Sequence, residues 1–129
     1  MTVELACLAL NALWGFVLVF VEIYGKTRQA GPAWNAGNRA NEPEFAAWVG
    51  RAGRALDNHK ENFPLFFAGV VVVTLAGQAD TISAVGAVTY AVARVLHGVI
   101  YIAGITGLRT AVWMVGTLGV LAIYLAIVL

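Results

Sequence analysis

Apolar residues run along this chain in four long stretches, and polar residues gather in one place. Val3 to Tyr24 (VELACLALNALWGFVLVFVEIY) is apolar except for Glu4, Asn11 and Glu22. At 1.5 Å per residue it is long enough to cross a hydrocarbon layer of about 30 Å. It has no basic leading region and no small-residue cleavage site, so it reads as a retained span rather than a removable signal. Gly25 to Glu42 is polar and rich in Gly, Asn and Ala, which predicts a loop. Asn41, Glu42 and Pro43 then supply a helix start. A second helix is predicted from about Pro43 to Ala76, with its membrane part over about 54–76. Pro64 removes one of its backbone hydrogen bonds and predicts a bend. GQAD (Gly77 to Asp80) predicts a tight turn, Thr81 to Ala103 a third span, GITGLR a second turn, and Thr110 to Leu129 a fourth span. Four spans with short connections predict one all-α domain, an integral membrane four-helix up-down bundle.

Composition supports a lipid environment. Of 129 residues, 60% are hydrophobic and only 12% charged, about half the charged share of a soluble domain. The formal net charge of +1 gives no sign of a nucleic-acid partner. One cysteine, Cys7, cannot close an internal disulfide, and within an apolar run it reads as a small buried hydrophobe.

Charge placement sets orientation. Eleven of the fifteen charged residues lie between Glu22 and Glu61, while residues 62–129 contain only Asp80, Arg94 and Arg109. Lys26, Arg28, Arg39, Arg51 and Arg54 surround the first loop, Arg109 sits in the turn after the third span, and the other side has no Lys or Arg. The positive-inside rule places the first loop in the cytoplasm and both termini outside.

The polar positions that carry chemistry fall on two faces. Arg54, Asn58 and Glu61 are spaced i, i+4, i+7, and Arg94, His97 and Tyr101 i, i+3, i+7, each set sharing one side of its helix. A charge at membrane depth faces a partner or a wet cavity, and Glu61 is the expected partner of Arg94. Alone, that pair reads as a packing device more readily than as ligand chemistry. The added cations and hydrogen-bonding groups of Arg54, Asn58, His97, Tyr101 and Arg109 suit a polar anionic ligand. His59 and Lys60 are assigned to the interface, Asp57 to local pairing, and Glu22 to snorkelling beside Lys26. No glycine-rich phosphate loop and no metal-ligand cluster appears.

RALDNHKENFPLF (Arg54 to Phe66) resembles the R-A-x-x-N-x-x-E-x-F-P signature of the MAPEG family, the membrane-associated proteins in eicosanoid and glutathione metabolism. ARVLHGVIY resembles its A-R-x-x-H/Y-x-x-x-Y segment, and GLRTAVW the segment that follows. The resemblance covers essentially the whole chain and points to a bacterial-type member in an inner membrane. It implies a homotrimer with glutathione as co-substrate between subunits, near the cytoplasmic side. Carried over by position, Arg54, Asn58, Glu61, Arg94, His97 and Tyr101 would line that site, with Arg109 the catalytic residue that stabilises the thiolate. A neighbouring guanidinium favours the charged form of a thiol. The implied activity is a glutathione transferase or peroxidase acting on a lipophilic electrophile or lipid hydroperoxide that arrives through membrane lipid. Asp57 and Leu56 depart from the pattern, as do Asn62 and Trp113, which stand where some members have Tyr. An acidic residue beside a site for an anionic tripeptide opposes binding. Two alternatives therefore stand beside the enzyme: a MAPEG-fold protein without glutathione chemistry, whose polar face serves assembly or another ligand, and a small four-span exporter driven through Glu22.

Overall fold

The computed structural model describes residues 1–129. The chain is all-helical: α1 Val3–Ala30, α2 Pro32–Ala36, α3 Ala47–Leu75, α4 Thr81–Ala103 and α5 Thr106–Val128, with no strand. Three of these, α1, α4 and α5, are long and apolar enough to cross a membrane. The polar first half of α3 separates it from the other three, although its 29 residues would reach about 43 Å at 1.5 Å per residue.

Helix ends follow local chemistry more than hydropathy. The Thr2 side chain caps α1 by accepting from the Leu5 N–H at 3.3 Å. The helix then runs six residues beyond Tyr24, where the apolar stretch ends. Lys26 pairs with Glu22 at 2.8 Å, and Arg28 donates to the Tyr24 hydroxyl at 3.3 Å; such i, i+4 contacts carry a helix past the edge of its apolar run. Gly31, at φ 92°, stops it, and Pro32 opens α2 inside the expected loop.

The predicted helix start at Asn41, Glu42 and Pro43 does not hold. Asn41 sits at φ 54°, a left-handed conformation that leaves the helical path. The helix begins at Ala47, with no side-chain cap at Ala46; instead the Ala46 N–H donates to the Gln29 side chain at 2.8 Å. α3 then continues through Pro64.

The turn before α4 is as expected. Asp80 and Ser83 form a reciprocal capping box, with the Ser83 N–H donating to Asp80 Oδ1 at 2.9 Å and satisfying two orphan donors at once. The turn after it is shorter than GITGLR suggested. Gly104 ends α4 at φ 84° and α5 starts at Thr106 rather than Thr110, so Arg109 lies in the first turn of a helix and not in a loop.

Consecutive long helices run antiparallel. Arg51 Nε near the start of α3 donates to the Ile102 carbonyl at the end of α4, 2.8 Å away. α3 and α5, which are not consecutive, run in the same direction and are joined where the Tyr124 hydroxyl of α5 donates to the Leu65 carbonyl of α3 at 2.9 Å. The closest packing joins α4 and α5, because glycines face each other there. A Cβ on Gly86 would come 2.6 Å from the Gly119 carbonyl oxygen, and one on Gly119 2.7 Å from that of Gly86. Phe66 stacks on Tyr90 at 4.1 Å between ring centroids, within a core that includes Val70, Val73, Ala87, Val120 and Ile123. A smaller core of Leu18, Ala55 and Leu56 lies toward the loop end. Large side chains such as Phe16, Phe20, Leu118 and Leu121 stay exposed on the outside, as expected where lipid is the solvent.

Candidate functional site

The polar half of α3 meets the last turns of α4 and the first turns of α5 at an open cleft of about 240 Å³, lined by Asn58, His97, Tyr101, Arg109, Thr110 and Trp113. Three helices supply these groups because each presents one face inward at helical spacing. His97 and Tyr101, one turn apart on α4, pack edge to face at 5.6 Å. The short α4–α5 turn brings Arg109 back over the Tyr101 ring, with Cζ 4.3 Å from the centroid. A guanidinium over an aromatic face is held by the ring quadrupole, so Arg109 is fixed without a carboxylate partner and its N–H groups stay available.

Beneath the cleft a hydrogen-bonded chain ties the three helices together. Arg94 Nη1 donates to Asn58 Oδ1 at 2.9 Å. Asn62 Nδ2 donates to the Asn58 carbonyl at 2.8 Å, and Trp113 Nε1 donates to Asn62 Oδ1 at 3.3 Å. Arg94 is only 2% exposed, so it acts as the floor of the site and not as a lining group. The lining residues include one cation and no acid, and a second cation lies below them. The arrangement suits an anionic group.

Of the residues expected from sequence, Asn58, His97, Tyr101 and Arg109 come together and Arg94 supports them. Arg54 and Glu61 do not line the cleft; both are exposed on α3. The expected Glu61–Arg94 pair does not form within the protomer. Asn58 and Asn62, a turn apart, take the α3 face toward α4, and Arg94 bonds to Asn58 instead. Arg54 lies back along its own helix, with Nη1 3.3 Å from where a Cβ on Gly50 would be.

His59 is not interfacial. It is 4% exposed and faces α1 at Gly15, where an added Cβ would come within 3.2 Å of Nε2. Lys60 and Asp57 form an exposed local pair at 3.1 Å. Sequence reading passed over Asn62, Thr110 and Trp113 as site residues, although Asn62 follows Asn58 and Trp113 follows Arg109 by one turn. It also passed over Glu4, which is buried and accepts from the Ser83 hydroxyl, joining the starts of α1 and α4. No group of three or more His, Cys, Asp or Glu side chains is placed to hold a metal ion.

An all-helical chain with three membrane-length apolar helices and a polar cleft at one end is an integral membrane protein. The chain belongs to the MAPEG family, whose model matches residues 4–129. No curated protein and no solved structure matches it.

Proposed function

We propose that this protein is a membrane-embedded glutathione-dependent transferase or peroxidase acting on lipophilic electrophiles or lipid hydroperoxides. On this reading the four long helices form an up-down bundle that assembles as a homotrimer. It lies in a bacterial inner membrane with the first loop cytoplasmic and both termini outside. The observation that carries the reading is Arg109, held over Tyr101 in a cleft whose lining has no carboxylate. A guanidinium placed this way favours a thiolate over a thiol. Asn58 and His97 offer hydrogen-bonding groups beside it, and Arg54 and Glu61, exposed on the adjoining flank of α3, are free to pair with the charged ends of a tripeptide.

In the transferase reaction the thiolate sulfur forms a bond to the electrophilic carbon, and the displaced group or opened ring takes up a proton. In the peroxidase reaction the hydroperoxide O–O bond is reduced to an alcohol and water while two thiols become one disulfide. Arg109 serves either reaction at the same point, by lowering the free energy of the attacking anion.

A second reading is favoured by the exposed position of Arg54 and Glu61 and by Asp57 beside them: a MAPEG-fold protein whose polar flank serves assembly or another ligand. The exporter alternative draws no support from Glu22, which pairs with Lys26 at 2.8 Å near the end of α1. Calorimetry with reduced glutathione on the detergent-purified protein separates the first two. The enzyme reading expects saturable binding and an ultraviolet thiolate absorbance that Arg109→Ala removes, since that guanidinium is what favours the thiolate. Absence of binding at millimolar glutathione would leave the second reading standing.

A further inference from the structure

Side-chain hydrogen bonds tie α3 to α5 at two levels, and the helices leave a pocket between them. Nearer the cleft, Trp113 Nε1 donates to Asn62 Oδ1 at 3.3 Å; further along α5, the Tyr124 hydroxyl donates to the Leu65 carbonyl at 2.9 Å. The pocket holds about 220 Å³. Thr117, Val120, Leu121 and Tyr124 line it from one α5 face, at i, i+3, i+4 and i+7. Asn62 and Leu65 line it from α3, and Tyr90 of α4 reaches it from the core. Leu65 and Leu121 are exposed at its rim, whereas Tyr90 is 2% exposed. The mouth therefore opens toward lipid and the base lies inside the protomer.

Almost every polar side chain of this pocket is already bonded. Asn62 donates to the Asn58 carbonyl at 2.8 Å and accepts from Trp113. Thr117 Oγ1 donates to the Trp113 carbonyl at 3.0 Å, and the Tyr124 hydroxyl is held on Leu65. The Tyr90 hydroxyl alone among the lining groups is shielded from solvent and without a partner. Its ring is stacked on Phe66 at 4.1 Å, so it is not free to swing out and find one. A buried hydroxyl left unbonded is costly. A water held there needs at least two polar partners, and the other polar side chains are engaged while Leu65, Val120 and Leu121 offer none. An oxygen carried on a hydrocarbon chain needs only the phenol, because the chain itself meets the apolar walls. The volume is below the about 300–1,000 Å³ of sites that enclose a whole small ligand, which suits one segment of a long chain.

We propose that the α3–α5 pocket seats the chain of a free oxygenated fatty acid, with the chain oxygen on the Tyr90 hydroxyl and the Trp113–Asn62 bond as the partition from the cleft. Trp113 lines the cleft and Asn62 the pocket, so a chain in the pocket ends beside the Arg109 site. The proposal names the substrate class of the enzyme reading and rests on it for what the seated chain is used for. Occupancy of the seat itself requires no glutathione.

The test is photolabelling in phosphatidylcholine nanodiscs, whose esterified, unoxygenated chains are a built-in competitor. A fatty acid with a mid-chain diazirine is crosslinked and its adducts mapped by peptide mass spectrometry. Labelling should concentrate on Leu65 and on Thr117 to Leu121. Mid-chain hydroxystearic acid should displace it at about tenfold lower concentration than stearic acid, the worth of one hydrogen bond. Tyr90→Phe keeps the ring on Phe66 and should make the two competitors equal. Thr117→Phe should fill the pocket and remove the labelling; should that variant not fold, Tyr90→Phe decides alone. Adducts spread evenly over the exposed apolar residues of α1 and α4 would overturn the proposal. So would an unlabelled pocket, as a neighbouring copy filling it would give, or a hydroxyl preference that survives Tyr90→Phe. No arm contains glutathione, so failure of glutathione binding strikes the enzyme reading alone, and failure of the displacement strikes the seat alone.

Discussion

Asn58 shows how much one side chain carries here. Its Oδ1 is the only hydrogen-bond partner of the buried Arg94 guanidinium, its carbonyl and Oδ1 both accept from Asn62, and its side chain lines the cleft. Replacement by Ala would remove an acceptor from a charged donor that has no second one. Hydrogen bonds to charged groups contribute about 1.5–3 kcal/mol, and the loss is greater when the charge stays buried. Asn58→Ala should therefore destabilise the protein by about that amount in detergent unfolding, and Asn58→Gln should recover only part because its amide is one methylene further out. A wild-type melting curve for Asn58→Ala would show that Arg94 has another partner. The same residue marks the limit of sequence reading. Spacing placed Asn58 on the polar face, but charge complementarity pointed to Glu61 as the mate of Arg94. Choosing between neighbours one turn apart depends on helix rotation, which spacing alone does not fix.

At the level of elements, the helices were legible and their ends were not. Apolar runs located the helices because burial and lipid contact both select the same residues. The ends shifted wherever polar residues kept a helix going, as Glu22–Lys26 does in α1, or wherever a left-handed residue broke the path, as Asn41 does before α3. The most consequential shift is the early start of α5, since a helical Arg109 has a fixed direction and can reach Tyr101. That direction depends in turn on the α4–α5 contact at Gly86 and Gly119. Neither glycine was singled out from sequence, because the approach of two backbones leaves no periodic signal. A methyl group on Gly119 would meet the Gly86 carbonyl at 2.7 Å and the Tyr90 N–H nitrogen at 2.9 Å, neither of which is a flexible side chain that could move aside. Overpacking of this kind costs about 1–3 kcal/mol. Gly119→Ala should lower Tm, and Gly107→Ala, where an added Cβ meets nothing within 4 Å, should not. Equal melting of the two variants would mean that α4 and α5 separate without cost.

For the whole molecule the unexplained charges are Arg54 and Glu61. The sequence placed them in the site with Asn58, and within one protomer they stand outside it, exposed on the flank of α3. Below them that helix goes on to expose Leu65, Phe67 and Val72, so the charges sit where a polar interface gives way to an apolar one. Charged groups near membrane depth are seldom left against lipid. A neighbouring copy would cover them, pair their charges and close the open side of the cleft, which is what the homotrimer reading requires. Such a contact would be made by side chains from different chains, and no pattern within one chain can register it. Glu61→Gln keeps the size of the side chain and removes its charge. If Glu61 pairs across a subunit boundary, the variant should lose trimer in native mass spectrometry at concentrations where the wild type keeps it, because breaking a buried pair from one side strands the other charge at a cost of about 3–5 kcal/mol. If Glu61 instead meets only the ligand, the variant should remain trimeric and lose glutathione affinity. A variant that retained both would show that Glu61 faces neither a neighbour nor a ligand, and the polar flank of α3 would then have to be assigned to the aqueous boundary of the membrane.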